Sequence, residues 1–267
     1  MHVTALHVYP VKSLRGFAVP AAEVDAFGFA GDRNFLVVDP AGKFLTQRAL
    51  PRMALVATAL SADALTLSAA GFGSVSVRRA PDPAAPVRPV TVWKAEGLLA
   101  EDCGDEAAAF LSRFLEAPLR LVRIGPQYHR PVGDRDDVVS FADGYPFLLL
   151  SEASLADLND RLAAQDEDRL GMDRFRPNIV VNSCAAFAED GWSRLRIGPV
   201  AFRNAGPCAR CIMTTTDQLT AVRGKEPLYT LATYRRDRDK PANVNFGINL
   251  IHETKRGTIR VGDPVSL

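Results

Sequence analysis

Three observations predict a β-dominated α+β protein with a few helices and a soft boundary near residues 128–137 that divides the chain into two parts. Short β-like segments alternate with turn signals through the first ninety or so residues, at the spacing of a barrel or sandwich. The apolar period changes to that of a helix from Asp102, and strand-like segments return from Asn178 onward. Between the two parts lies a polar stretch, 128–137, rich in Arg and Asp and broken by Pro131 and Gly133, which reads as an exposed loop or junction.

Taken in order, Ala5-Leu6-His7-Val8-Tyr9 alternates as a strand does. Gly16, Gly28, Gly31, Pro40-Ala41-Gly42, Ala70-Gly71 and Pro81-Asp82-Pro83 punctuate the chain after it, leaving strands at Leu36-Val37-Val38, Leu65-Thr66-Leu67-Ser68 and Val75-Ser76-Val77-Arg78. No helix is expected before Cys103. Ala107, Phe110, Leu111, Phe114 and Leu115 then share one helical face, with Asp102 as the expected cap and Pro118 as the stop. A second helix is expected from about Ser154, which has capping-box spacing to Asp157 ahead of the stripe Leu155, Leu158 and Leu162. Further strands are expected at 178–181, 195–197, 200–203, 246–251 and 258–261, interrupted by a third helix over 227–235.

Composition excludes several classes. With 267 residues, 47 % hydrophobic, the chain can bury a core without disulfides or metal, so disorder and a fibrous structure are ruled out. The 32 Lys and Arg balance 31 Asp and Glu, whereas nucleic-acid binding through a broad field needs a cationic excess. A local basic pocket remains open. Apolar runs such as Phe147-Leu148-Leu149-Leu150 are far shorter than the roughly 20 residues of a membrane span, and the N-terminus has no signal-peptide pattern. Cys103, Cys184, Cys208 and Cys211 are too few and scattered for a secreted disulfide framework, so a reducing compartment is expected.

Chemistry concentrates in Gly206-Pro207-Cys208-Ala209-Arg210-Cys211-Ile212-Met213-Thr214-Thr215-Thr216-Asp217. Such a cysteine pair serves as half of a zinc site, as a redox dithiol, or as a loop presenting one thiolate to a softer metal. Zinc needs four ligands, but the other cysteines are isolated, and His2, His7, His129 and His252 show no paired spacing. A redox dithiol should open a helix, whereas residues 212–216 read as a β-branched strand. Two small buried hydrophobes are the plain alternative, though Arg210 between the thiols favours thiolate. Two further clusters carry cations. Tyr9-Pro10-Val11-Lys12-Ser13 with Gly28-Phe29-Ala30-Gly31-Asp32-Arg33 has the makings of a phosphate site, with a solvated Lys-Ser turn as the plain alternative. Arg174-Phe175-Arg176-Pro177-Asn178, taken alone, reads as a surface ion pair beside a buried strand.

Together these clusters resemble the MOSC-domain proteins, especially the amidoxime-reducing molybdenum enzymes with an N-terminal MOSC-type β-barrel. Tyr9-Pro10-Val11-Lys12-Ser13 and Gly31-Asp32-Arg33 look like the signatures of that barrel. The 151–159, 174–178 and 207–217 segments, Lys225-Glu226-Pro227-Leu228 and Val261-Gly262-Asp263-Pro264-Val265 look like those of the MOSC catalytic domain. The resemblance runs in order over nearly the whole chain. It implies a MOSC N-terminal β-barrel domain at 1–125 and a MOSC β-barrel catalytic domain at 126–267.

The resemblance also implies a molybdenum-pterin cofactor (Mo-molybdopterin) whose coordination one cysteine completes; by motif position that cysteine is Cys211, with Cys208 accessory. Carried over in the same way, Lys12, Ser13 and Arg33 hold the cofactor's phosphate and pterin, Arg176, Ala209 and Arg210 close around it, and Asn178 orients that wall. One departure stands out. Where the family commonly has small hydroxyl residues before Pro146-Phe147, this chain reads Asp143-Gly144-Tyr145. Gly144 and Tyr145 stay as cofactor-contacting positions, Gly144 through its backbone. Asp143 becomes the candidate proton relay, with a turn-forming Asp before Gly as the alternative.

The implied activity is reduction of N-hydroxylated compounds, such as hydroxylamines, amidoximes or N-hydroxylated nucleobases, to amines or amidines. The sequence ends at Leu267 with no iron–sulfur cysteines, so electrons are expected from a separate flavin reductase, ferredoxin or cytochrome. The targeting and anchoring segment of the mitochondrial relatives has no counterpart here, so a cytoplasmic protein with neither membrane nor nucleic-acid partner is expected. The alternative is a carrier of molybdenum cofactor, or of persulfide sulfur on Cys211.

Overall fold

The computed structural model describes residues 1–133 and 135–267. Its centre is an eight-stranded sheet in the spatial order Phe17–Val19, Val3–Val8, Ile179–Val181, Phe147–Ser151, Asn245–His252, Val200–Ala209, Arg194–Ile197 and Val265–Ser266. Val3–Val8 thus lies between a strand of its own half and one from beyond residue 126, in register Leu6↔Ile179 and Leu6↔Val19. Phe147–Ser151 and Ile179–Val181 pair in parallel, with the helix Glu152–Ala163 in the connection between them. Both strands are buried along their whole length, as continuous apolar runs covered on two faces should be. Leu6, Phe29, Phe147, Leu149, Ile179, Phe202 and Ile248 fill one side of the sheet; Leu150, Leu158, Leu162, Phe175 and Phe246 fill the other.

A second core forms where helix Asp105–Leu115 meets a four-stranded sheet, ordered Phe35–Val38, Arg120–Ile124, Ala95–Asp102, Val87–Val92, and a three-stranded meander, Ala57–Leu60, Ala64–Ala69, Gly73–Arg78. Phe35, Leu65, Leu67, Phe110, Leu111, Phe114 and Leu121 pack there. Among the described residues no helix is long and apolar enough to cross a membrane.

Several expectations shift. The first helix starts after Gly104, not at a cap formed by Asp102. Asp102 ends a strand, accepts from the Gly104 amide at 2.8 Å, and is drawn to Arg88 and Arg120. The second helix is capped by Ser151, whose Oγ accepts from the Ser154 amide at 3.1 Å; Ser154 lies inside the first turn. The third spans only Leu228–Leu231. The strand expected at 258–261 shifts by one to Gly257–Arg260.

The 128–137 stretch, whose residue 134 lies outside those described, is more buried than its polarity suggests. Tyr128, Arg130 and Asp137 are buried, Asp137 because Arg203 and Lys255 both reach it. The strand expected at 200–203 runs on to Ala209 through Gly206 and Pro207, because register breaks between Asn204 and Gly206 and between Pro207 and Ala209 absorb both. Ile212–Thr215, expected as strand, is a 3-10 turn.

Candidate active site

Strand ends converge on one cleft of about 780 Å³. Lys12 and Ser13 arrive from the end of Val3–Val8, and Arg33 from the turn before Phe35–Val38. Asp143, Gly144 and Tyr145 lead into Phe147–Ser151, and Arg176 and Asn178 into Ile179–Val181. Ala209, Arg210 and Cys211 leave the long strand Val200–Ala209. All eleven site residues expected from the sequence therefore line the same cavity.

Ser13, Arg33 and Arg176 share a feature invisible in composition. Their φ angles are 67°, 51° and 57°, in the left-handed region that side chains rarely enter. Strain of this kind persists where the surroundings fix it, and such positions cluster at functional sites. At Arg33 the surroundings are plain. Its Nη1 donates to the buried Asp32 carboxylate and to Asn178 Oδ1 at 2.9 Å, its Nη2 donates to the Arg176 carbonyl at 3.3 Å, and its guanidinium lies 4.4 Å from the Tyr9 ring centroid. Arg176 lies 4.3 Å from the same ring.

Lys12 is 4 % exposed. Its Nζ donates to the Phe141 carbonyl at 2.8 Å and to Asp143 Oδ1. Burial pulls the ammonium down to about 8, against the opposing pull of Asp143. The packing around Asp143 disfavours its charge, but Lys12 and then Arg48 outweigh that and hold the carboxyl below the usual range. Asp143 is thus an ionised partner, open to the cleft, and Lys12 is the member of the pair whose titration, at about 8, is drawn toward neutrality. Trp93 Nε1 also donates to Asp143, at 3.3 Å.

At the opposite wall Arg210 donates from Nη1 to Cys208 Sγ at 2.9 Å and from Nη2 to the Phe175 carbonyl at 2.7 Å. Cys211 caps the 3-10 turn, its carbonyl accepting from the Thr214 amide at 3.0 Å. Among the described residues no group of three His, Cys, Asp or Glu side chains gathers as a metal-ligand cluster, so a four-ligand structural zinc site lacks donors around the pair.

Arg48, Arg174 and Met213 also line the cleft and are absent from the expected set. Arg174 lies inside a motif that reads as a surface pair, and its distance to Asp217, 3.9 Å, is in keeping with a weak one. Nothing in the sequence around Arg48 marks it. It reaches the site through tertiary packing, 3.6 Å from Asp143 and 4.6 Å from the Trp93 ring.

The cleft thus carries six cations, Lys12, Arg33, Arg48, Arg174, Arg176 and Arg210, against the single carboxylate of Asp143 among the described residues. Arg48 Nη1, Arg176 Nη2 and Arg210 Nε are buried with no hydrogen-bond partner. Such a set suits an anion held beside a soft thiolate.

Comparison with known proteins gives the class. Residues 1–118 match the MOSC N-terminal beta barrel domain and residues 136–266 the MOSC domain, so the chain is a MOSC-domain protein with a MOSC N-terminal β-barrel. Within that class it belongs to the family of the amidoxime-reducing components. It is 39 % identical over 284 residues to mitochondrial amidoxime-reducing component 1 of Mus musculus, spanning 99 % of this chain and 82 % of that one. The Homo sapiens protein of the same name is 39 % identical over 285 residues, with the same coverage. Mitochondrial amidoxime reducing component 2 of Bos taurus is 37 % identical over 281 residues, 98 % of this chain and 82 % of that one.

Proposed function

We propose that the chain is a molybdenum-pterin-dependent oxidoreductase that reduces N-hydroxylated compounds (hydroxylamines, amidoximes and N-hydroxylated nucleobases) to amines or amidines. The observation that carries this reading is the pairing of Cys211 with a strongly cationic cleft in which three guanidinium N–H groups lack partners. The names of the relatives, amidoxime-reducing components, support the substrate class.

The residues fit the proposed cofactor. Lys12, Ser13 and Arg33 would hold its phosphate and pterin, Gly144, Tyr145, Arg176, Ala209 and Arg210 would close around it, and the Cys211 thiolate would supply the protein ligand to the metal. Bound there, the cofactor supplies the two-electron chemistry: a hydroxylamine takes two electrons and two protons and leaves as amine and water. The chain supplies position and protons. Asn178 fixes Arg33, and the proton relay proposed for Asp143 works through its ion pair, with Lys12 Nζ as the donor atom. Electrons come from a separate flavin reductase, ferredoxin or cytochrome. The proposed setting is the cytoplasm; the four free cysteines suit a reducing compartment, while the named relatives are mitochondrial.

The test is to express the chain with molybdate in a cofactor-competent host, measure metal and released pterin, and supply an amidoxime with a chemical reductant. About one molybdenum per chain together with amidine formation supports the proposal. Full molybdenum loading without reduction would move the protein to the carrier reading, and zinc without pterin would overturn both.

A further inference from the structure

Trp93 opens the turn between strands Val87–Val92 and Ala95–Asp102 with a φ of 57°. Hairpins place glycine or asparagine in this conformation, and for a bulky side chain it is an outlier. The strained turn presents an indole that is 43 % exposed and contributes little to either core.

Its position is nonetheless fixed from three sides. Nε1 donates to Asp143 at 3.3 Å, the Arg48 guanidinium lies 4.6 Å from the ring centroid, and Phe44 meets the ring at 5.0 Å and 60°. Asp143 and Arg48 both line the cleft, so the indole stands on its rim. A rigid aromatic with much of its surface open, backed by a cation that draws on its π-electrons, is suited to stacking against a flat, neutral ligand.

We propose that Trp93, backed by Arg48, is a stacking platform at the cleft mouth that selects planar, π-conjugated N-hydroxylated substrates over small aliphatic hydroxylamines. The inference rests on the reductase reading for its substrates, but its binding step does not depend on turnover.

The test compares molybdenum-loaded wild type, Trp93→Leu and Trp93→Phe on a phenyl amidoxime and on N-methylhydroxylamine with the same reductant. In Trp93→Leu the ratio of kcat/KM for the aromatic over the aliphatic substrate falls about fivefold, the size of one aromatic pair, through KM. Trp93→Phe, which keeps a ring but loses the N–H to Asp143, holds the ratio within about twofold. An unchanged ratio in Trp93→Leu overturns the proposal. So does an equal fall in both variants, which assigns the indole to holding Asp143.

Fluorescence separates this from the enzyme assignment. The only other tryptophan, Trp192, is 7 % exposed, and Trp93→Phe supplies its background. Saturable quenching of Trp93 by the phenyl amidoxime without turnover upholds the platform and sinks the reductase reading. Turnover without saturable quenching sinks the platform.

Discussion

Arg33 Nη1 donates to Asn178 Oδ1 at 2.9 Å across 145 residues of sequence. The same carboxamide oxygen accepts from the Leu148 amide at 3.3 Å, and Nδ2 donates to the His7 carbonyl at 3.3 Å. One side chain thus ties the first strand, the central parallel strand and the strained turn of Arg33. Preorganisation of this kind lets a cation meet an anion without first being ordered.

Asn178→Ala is therefore expected to destabilise the protein by about 1–3 kcal/mol, since the Leu148 amide and one Arg33 N–H lose a buried acceptor. Urea unfolding should show a lower midpoint with an unchanged slope. An unchanged midpoint would mean that water replaces the carboxamide at no cost.

Lys12 gives a pH signature. Its folded pKa of about 8 lies below the ordinary lysine value of 10.5, so between these values the unfolded chain binds more protons and stability rises with pH. Below about pH 8 both states are protonated and the cost of burying the ammonium is fully present. Lys12→Met removes the titrating group. The stability of wild type relative to this variant should be flat between about pH 5 and pH 8, above the range in which Asp143 titrates, and then improve toward pH 10.5 by on the order of 3 kcal/mol. A gap that stays level across that range would show that Lys12 titrates normally.

Much of the site is legible in the sequence because its residues sit in local motifs. Tyr9-Pro10-Val11-Lys12-Ser13, Arg174 to Asn178 and the cysteine pair each announce themselves within a few residues, and the fold brings all three to one cleft. Their backbone conformations are not legible, since nothing in the sequence marks Ser13, Arg33 or Arg176 as left-handed. Arg48 and Trp93 escape a local reading because their partners are tertiary: the Trp93 contact to Asp143 spans 50 residues. Boundaries fail where a local rule meets a stronger competitor. Asp102 has the look of a cap but is drawn to two arginines, and Gly206-Pro207 has the look of a strand end where the strand instead bulges and continues.

The second-half helix, Glu152–Ala163, tests one such boundary. If Ser151 is the cap, Ser151→Ala costs about 1–2 kcal/mol, since its Oγ holds the Ser154 amide and also meets Ser154 Oγ at 2.8 Å. Ser154→Ala should cost more, about 2–3 kcal/mol. Its Oγ donates to the buried Glu189 carboxylate at 2.7 Å and accepts from the Phe187 amide at 2.8 Å, so the loss leaves a buried charge short of a donor. Thermal or urea unfolding of the two variants would show the reverse order if Ser154 were the cap.

The two cysteines should separate cleanly. Cys208 accepts from Arg210 Nη1, so Cys208→Ala frees one guanidinium bond while the Phe175 carbonyl still holds the other. A bond of about 0.5–1.5 kcal/mol corresponds to a loss of roughly threefold to tenfold in cofactor retention or turnover. Cys211→Ala removes the proposed metal ligand but leaves the six cations of the cleft in place. Turnover of an amidoxime should then fall by more than about a hundredfold, beyond what loss of a supporting contact produces, while most of the pterin remains bound. Metal and pterin analysis beside the rate measurement decides the matter. Retained reduction in Cys211→Ala would show that this thiolate is not the ligand, and loss of persulfide loading in a protein that never reduced the substrate would place Cys211 in sulfur transfer.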